Sequence, residues 1–225
     1  MRRSVAETEV PGGWCEREVV VGDRVFRLIS PTDPDCLLQD LEEPATGAPE
    51  HFVDPYWAKI WPAAPLLAAA VLRSPILPGP KALELGCGSG LAGIAALAAG
   101  LDVTFSDYVP LAVELAKENA ARNGFPGASG MVLDWNQPRG EKYPLILGAD
   151  ITYDRTNFPP LLDTVEAMLA TGGEAWFGDA GRGPAEEFVR RAAERGWIIS
   201  RFDANDKIAT DFALGVFQRF VFRRA

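Results

Sequence analysis

Cysteine is scarce in this chain of 225 residues. Cys15, Cys36 and Cys87 are odd in number and far apart, so they supply neither a disulfide framework nor a cluster of metal ligands. No apolar run approaches the ~18 residues of a membrane span, and the opening MRRSVAETEV carries charge where a secretion signal has an apolar core. A cytoplasmic protein free of membranes is expected. Basic charge is also short. There are 22 Lys+Arg against 31 Asp+Glu, giving −9 with the lone His51 neutral, and such an excess opposes the phosphate neutralisation that drives nucleic-acid binding. Nucleic acid is therefore not an expected partner. What is present, 48% apolar and 24% charged residues, suits an ordinary globular domain with a full core.

Two β-branched runs around Gly22-Asp23, within residues 16–30, predict a hairpin. The segment 31–55 holds Pro31, Pro34, Pro44, Pro49 and Pro55, and is expected to be a loop-rich arm with little regular structure. A helix is predicted over 62–72, with Pro62 in its first turn. Beyond Gly79, short apolar runs alternate with longer helical ones, which predicts βα units on a parallel sheet. Strands are expected near 81–86, 102–107, 130–135, 144–150, 173–179, 197–202 and 213–222. Helices are expected near 90–99, 110–123, 158–170 and 184–195. The last two strands have no helix between them, so the final one should enter antiparallel at or near an edge. The expected division is a hairpin and arm over 1–55 and a catalytic domain over 56–225.

The run ALELGCGSGLAGIAALAAG reads as a buried strand, a loop broken at Gly86, Gly88 and Gly90 around Cys87, and a helix. Missing Cβ atoms let a ligand approach the backbone, and the helix start offers free N–H groups. A nucleotide is the usual occupant. GSGLAG from Gly88 also satisfies the dinucleotide fingerprint GxGxxG, so the loop alone does not choose between cofactors. Glu84 favours a cation: a carboxylate there repels a pyrophosphate and attracts the α-ammonium of S-adenosylmethionine. Asp107, 19 positions beyond Gly88, can accept both ribose hydroxyls of either cofactor. Asp134-Trp135, closing the third strand, offers an acceptor and a flat indole to an adenine, or is a turn and core pair.

ELGCGSG, Asp107 and Asp134-Trp135 resemble the nucleotide-binding posts of the seven-strand S-adenosylmethionine-dependent methyltransferases, over about residues 57–222. The resemblance implies an α/β, Rossmann-like, mostly parallel sheet with an antiparallel last strand, beside the small N-terminal hairpin and arm. YPLILGADITYD should end the fourth strand with Asp150 and Tyr153 at the carboxyl edge, where open α/β sheets bind ligands. GADITYD is similar to the Asp/Glu-x-x-Tyr motif of the protein-lysine branch. On that likeness Asp150 and Tyr153 carry over as the substrate-lysine motif, and Trp61, Gly86, Gly88, Asp107, Trp135 and Ala149 as cofactor contacts. DPYWAKIWPAA and FGDAGRGP, with Asp179 and Arg182, resemble the enzymes that methylate the electron-transfer flavoprotein β subunit. For Asp179 and Arg182 a surface ion pair is the plainer reading.

A lysine acceptor is chemically demanding, because with a pKa near 10.4 only about one amine in 2,500 is neutral at pH 7. Asp150 and Tyr153 can accept hydrogen bonds from such an amine and orient its lone pair. The acceptor implied is a lysine on a protein partner; the sequence does not fix the oligomeric state, and a monomer is the favoured expectation. A small amine such as a nicotinamide-like ring nitrogen, a nicotinamide-dependent oxidoreductase and a silent methyltransferase-like module are the alternatives.

Overall fold

The computed structural model describes residues 4–39, 55–75 and 81–224. In chain order the elements are β1 (Trp14–Val21), β2 (Arg24–Pro31), α1 (Pro34–Gln39), α2 (Ala63–Arg73), β3 (Lys81–Leu85), α3 (Leu91–Ala98), β4 (Asp102–Asp107) and α4 (Pro110–Arg122). They continue with β5 (Ser129–Val132), β6 (Tyr143–Ala149), α5 (Phe158–Met168), β7 (Leu169–Asp179), α6 (Gly183–Glu194), β8 (Ile198–Phe202) and β9 (Gln218–Arg223). β1 and β2 pair with each other, and the rest form one sheet ordered β5-β4-β3-β6-β7-β9-β8. β3 through β7 are parallel to one another, and β9 runs antiparallel to both of its neighbours, β7 and β8. The chain steps outward from β3 to β5 and then returns to β6 on the other side of β3. That reversal opens a crevice at the carboxyl ends of β3 and β6.

Helices cover both faces, so β3 buries Ala82, Leu83, Glu84 and Leu85 alike. On one face Leu67 and Val71 of α2, Ile94 of α3 and Ala116 of α4 meet Val103 and Leu147. On the other, Phe158 of α5 and Phe188 of α6 pack with Phe177 and Phe222, rings 5.0 to 5.6 Å apart. Among the described residues no helix is long and apolar enough to cross a membrane.

The hairpin is fastened by amides. Asn119 and Asn123, one turn apart on α4, imitate a neighbouring strand: each side chain accepts from and donates to the backbone of β2, at Ile29 (2.7 and 3.1 Å) and Arg27 (3.0 and 2.8 Å). The edge of β2 is thereby satisfied. Asn119 also donates to the Ser89 carbonyl in the glycine loop, at 3.0 Å. Its side chain is fully buried, so Asn119→Ala leaves three backbone groups without partners. A stability loss of about 2–4 kcal/mol is expected in urea denaturation.

Several expectations need correcting. Within the expected arm, 31–55, the structure shows the short α1, and a 3-10 turn over Pro55–Ala58 begins at its last residue, while 40–54, with Pro44 and Pro49, falls outside the described residues, as does Gly79. Pro34 starts α1 because the first helical N–H needs no partner. The helix expected to reach 170 stops at Met168, and β7 begins at Leu169 opposite Tyr143, with a register shift before Glu174 comes opposite Leu145. The final strand starts at Gln218, not 213. β5 ends at Val132, so Asp134-Trp135 follows the strand. There the Asp134 carboxylate accepts from the Asn136 backbone and side chain at 2.9 and 3.0 Å, a local turn that competes with strand pairing.

Candidate active site

The crevice holds a cavity of about 450 Å³, within the range of small-molecule sites. Glu84, Gly86, Cys87, Gly88, Asp107, Asp134, Trp135, Ala149, Asp150, Tyr153 and Trp61 all border it. Eleven of the twelve expected residues are thus brought together from β3 and the loop after it, the end of β4, the segments at and after the ends of β5 and β6, and the segment before α2. Gly90 is not on the wall. It begins α3 at φ +81°, and a Cβ there would stand 2.8 Å from that of Ala116. Gly90 lets α3 approach α4; its part in the site is indirect.

Gly88 faces the arm. Its φ is +47°, and a Cβ would lie 3.1 Å from the carbonyl oxygen of Trp57. The 3-10 turn of the arm therefore rests on the glycine loop and closes one side of the cavity. Gly88→Val forces a branched side chain into left-handed backbone, so a loss of about 1–3 kcal/mol is expected in thermal or urea unfolding, together with weaker nucleotide binding.

Glu84 is 3% exposed and accepts the Gly93 N–H at 3.0 Å. No cationic side chain pairs with it among the described residues. Burial foremost, helped by the nearby Asp107, pushes its carboxyl up to about 8, against the pull of the Gly93 and Ala92 N–H groups. Burial also drives the Cys87 thiol well up, which leaves an inert thiol in the wall. Asp107 accepts from the Gly88 N–H at 3.1 Å and the Val109 N–H at 3.0 Å, which orients its carboxylate at the end of β4 on the cavity wall. Trp135 lies beside Gly86, its ring 3.7 Å from where a Cβ would sit.

Part of the wall is aromatic. Tyr153, half-buried, meets Tyr56 edge-on at 5.5 Å, and Tyr56 meets Trp61 at 5.8 Å. Lys59 stands 5.3 Å from the Trp61 ring centre and is ion-paired with Asp35 at 3.0 Å. Asp150 is a buried hub here, bonded to Arg182, Ala63 and Ala180. Burial raises its carboxyl above the usual range, with Asp179 adding to the rise, while the Ala63 N–H and Arg182 act against it. Asp179 is fully buried, so the plainer reading of Asp179 and Arg182 as a surface pair does not hold. Asp154, Thr156 and Asn157 form the turn before α5, Asp154 accepting from Thr156.

Sequence reasoning passed over Tyr108, Asn136 and Lys59, all on the wall. Each adjoins or lies between marked residues: Tyr108 follows Asp107, Asn136 follows Trp135, and Lys59 sits between Trp57 and Trp61. Adjacency was the available signal.

A seven-stranded sheet of this order with a glycine-lined crevice defines the Rossmann-like methyltransferase fold. It superposes on the N-methyltransferase NodS from Bradyrhizobium japonicum WM9 in complex with S-adenosyl-L-homocysteine with a TM-score of 0.58, at 22% identity, covering 84% of this chain and 97% of that one. Residues 49–187 match the lysine methyltransferase family, and the chain belongs to it. Among its relatives, EEF1A lysine methyltransferase 3 of Mus musculus is 35% identical over 142 residues, 60% of this chain and 61% of that protein. The electron transfer flavoprotein beta subunit lysine methyltransferase of Danio rerio is 31% identical over 161 residues, 70% and 61% respectively. The chain thus spans about three fifths of the length of these relatives.

Proposed function

We propose that this protein transfers the methyl group of S-adenosylmethionine to the ε-amine of a lysine on a protein substrate. The observation that carries the reading is one cavity whose wall combines two unlike sets of residues. One set is a glycine loop with Glu84, Asp107 and Trp135; the other is the aromatic group Tyr56, Trp61 and Tyr153. A buried carboxylate with no cationic partner among the described residues suits an α-ammonium, and the Asp107 carboxylate, an acceptor on the wall at the end of β4, suits a ribose hydroxyl. When bound, S-adenosylmethionine supplies a sulfonium methyl: its S–C bond breaks with the electron pair staying on sulfur as the amine lone pair forms the N–C bond.

The protein's part is placement. Glu84 holds the ammonium end, Asp107 the ribose, and Trp135 flanks the ring, with Asp134, Ala149, Gly86 and Cys87 shaping the wall. Tyr153 accepts a hydrogen bond from the acceptor amine and aims its lone pair, and the aromatic faces favour the cationic centre by about 1–2 kcal/mol when dry. The lysine arrives as an ammonium and loses its proton to water before attack. Tyr56 and Tyr108 on the rim are 38% and 62% exposed, which supports a bulky acceptor over a small amine in a sealed cavity. The −9 net charge also favours a lysine-bearing partner.

Relatives named for the electron transfer flavoprotein β subunit and for EEF1A make these the first acceptors to try. The test is incubation of the protein with labelled S-adenosylmethionine and each candidate, or a cell extract, followed by peptide mass spectrometry. The expected result is a methyl group on a lysine side chain. Label found only in a small metabolite overturns the protein-lysine reading.

A further inference from the structure

The motif reading gives Asp150 the task of touching the acceptor amine, but its side chain is 0% exposed. Oδ2 accepts the Ala63 N–H at the start of α2, at 2.6 Å. Oδ1 takes the Arg182 guanidinium and, at 3.4 Å, the Ala180 N–H. Its own N–H donates to the Gly178 carbonyl at 2.8 Å, with φ at +57°. This is a backbone state that a non-glycine residue keeps only where the surroundings hold it. Both oxygens are committed to protein donors.

Arg182 is set from behind. The Asp179 carboxylate accepts the N–H groups of Gly181 and Arg182 at 2.8 and 2.6 Å, and Thr152 donates to its other oxygen at 2.8 Å. The guanidinium so placed lies 5.2 Å from the centre of the Trp61 ring. Trp61 donates its indole N–H to the Tyr56 carbonyl at 2.8 Å, and the Tyr56 ring abuts Tyr153. Contacts therefore run from Asp150 through Arg182, Trp61 and Tyr56 to Tyr153, beginning and ending in the same short turn after β6.

We infer that Asp150 and Arg182 are positioning residues: their ion pair fixes Trp61, and through it the aromatic face at which the acceptor amine sits, while Asp150 does not touch the acceptor. The inference rests on the acceptor reading above. Its physical basis is that a misplacement of about 1 Å between reacting groups can cost 100-fold in rate, so a wall locked by a buried ion pair and a cation–π contact is a means of holding that geometry.

The test follows the indole ¹⁵N–¹H signal of Trp61, identified by its loss in Trp61→Phe, in Asp150→Asn and Arg182→Lys. S-adenosylhomocysteine binding serves as the check on folding. Both variants are expected to move the Trp61 signal and leave the other tryptophan signals in place. Turnover of the electron transfer flavoprotein β subunit is expected to fall about tenfold or more in both. A Trp61 signal unmoved in both variants overturns the inference. So does an Arg182→Lys enzyme that works like the parent while Asp150→Asn is inactive, because that pattern means Asp150 acts directly. Should Asp150→Asn fail to fold, Arg182→Lys and Arg182→Gln decide, since Arg182 is 28% exposed. The indole signal needs no acceptor, so failure of the lysine reading shows separately, as a parent enzyme that methylates no protein.

Discussion

Tyr153→Phe is expected to lower the turnover of a lysine acceptor by about 10- to 100-fold while S-adenosylhomocysteine binds within about threefold of the parent affinity. The substitution keeps the ring, and with it the edge-on packing against Tyr56 at 5.5 Å, so the wall is preserved. Only the hydroxyl is lost. A neutral amine has one lone pair and two N–H bonds, and the phenol oxygen, as acceptor of one of them, points the lone pair at the methyl carbon. Because the effect is on alignment rather than on binding, it should fall on kcat more than on KM, which steady-state kinetics with a methylated-peptide readout measures directly. An equal loss of nucleotide affinity would place the hydroxyl at the cofactor end instead.

Glu84→Gln is expected to weaken S-adenosylhomocysteine binding by about 100-fold, the scale of a buried charge-assisted bond, and to raise the stability of the ligand-free protein at pH 8. The sign follows from the carboxyl, which titrates near 8 in the folded protein against 4.5 for an unburied glutamate. Between those values the folded state holds a proton that the unfolded state has released. The stability contributed by the neutral group is therefore complete below pH 4.5, declines as pH rises, and is gone above about 8. Glutamine carries no such titration and still accepts the Gly93 N–H. Its thermal midpoint should exceed that of the parent most at pH 8 and least near pH 4.5. In the proposed function, the same burial that costs stability makes the carboxylate selective for an ammonium.

The β3–loop–α3 unit was legible because its signals are local: apolar residues, then glycines, then a helical run, all within one short segment. The placement of Asp107 at the end of β4, and of Asp150 and Tyr153 just beyond β6, was legible for the same reason. What Asp150 does was not legible, because its partners Ala63 and Arg182 stand 87 and 32 positions away, and spacing carries no trace of such pairings. The arm resting on Gly88 through the Trp57 carbonyl is likewise a tertiary fact. The early start of β7 was hidden by Met168, Leu169 and Ala170, an apolar run continuous with α5, whereas Leu169 pairs with Tyr143 ahead of the register shift in β7. Asn119 and Asn123 read as ordinary helix polars; only the packed hairpin reveals them as strand mimics.

The most direct test of the account is calorimetric titration of the protein with S-adenosylhomocysteine at pH 7 in two buffers of different ionisation enthalpy, beside a titration with NAD. A single site is predicted for S-adenosylhomocysteine, with close to one proton released per molecule bound as the ammonium draws the proton from Glu84, and with no release in Glu84→Gln. Saturable binding of NAD with none of S-adenosylhomocysteine would contradict it.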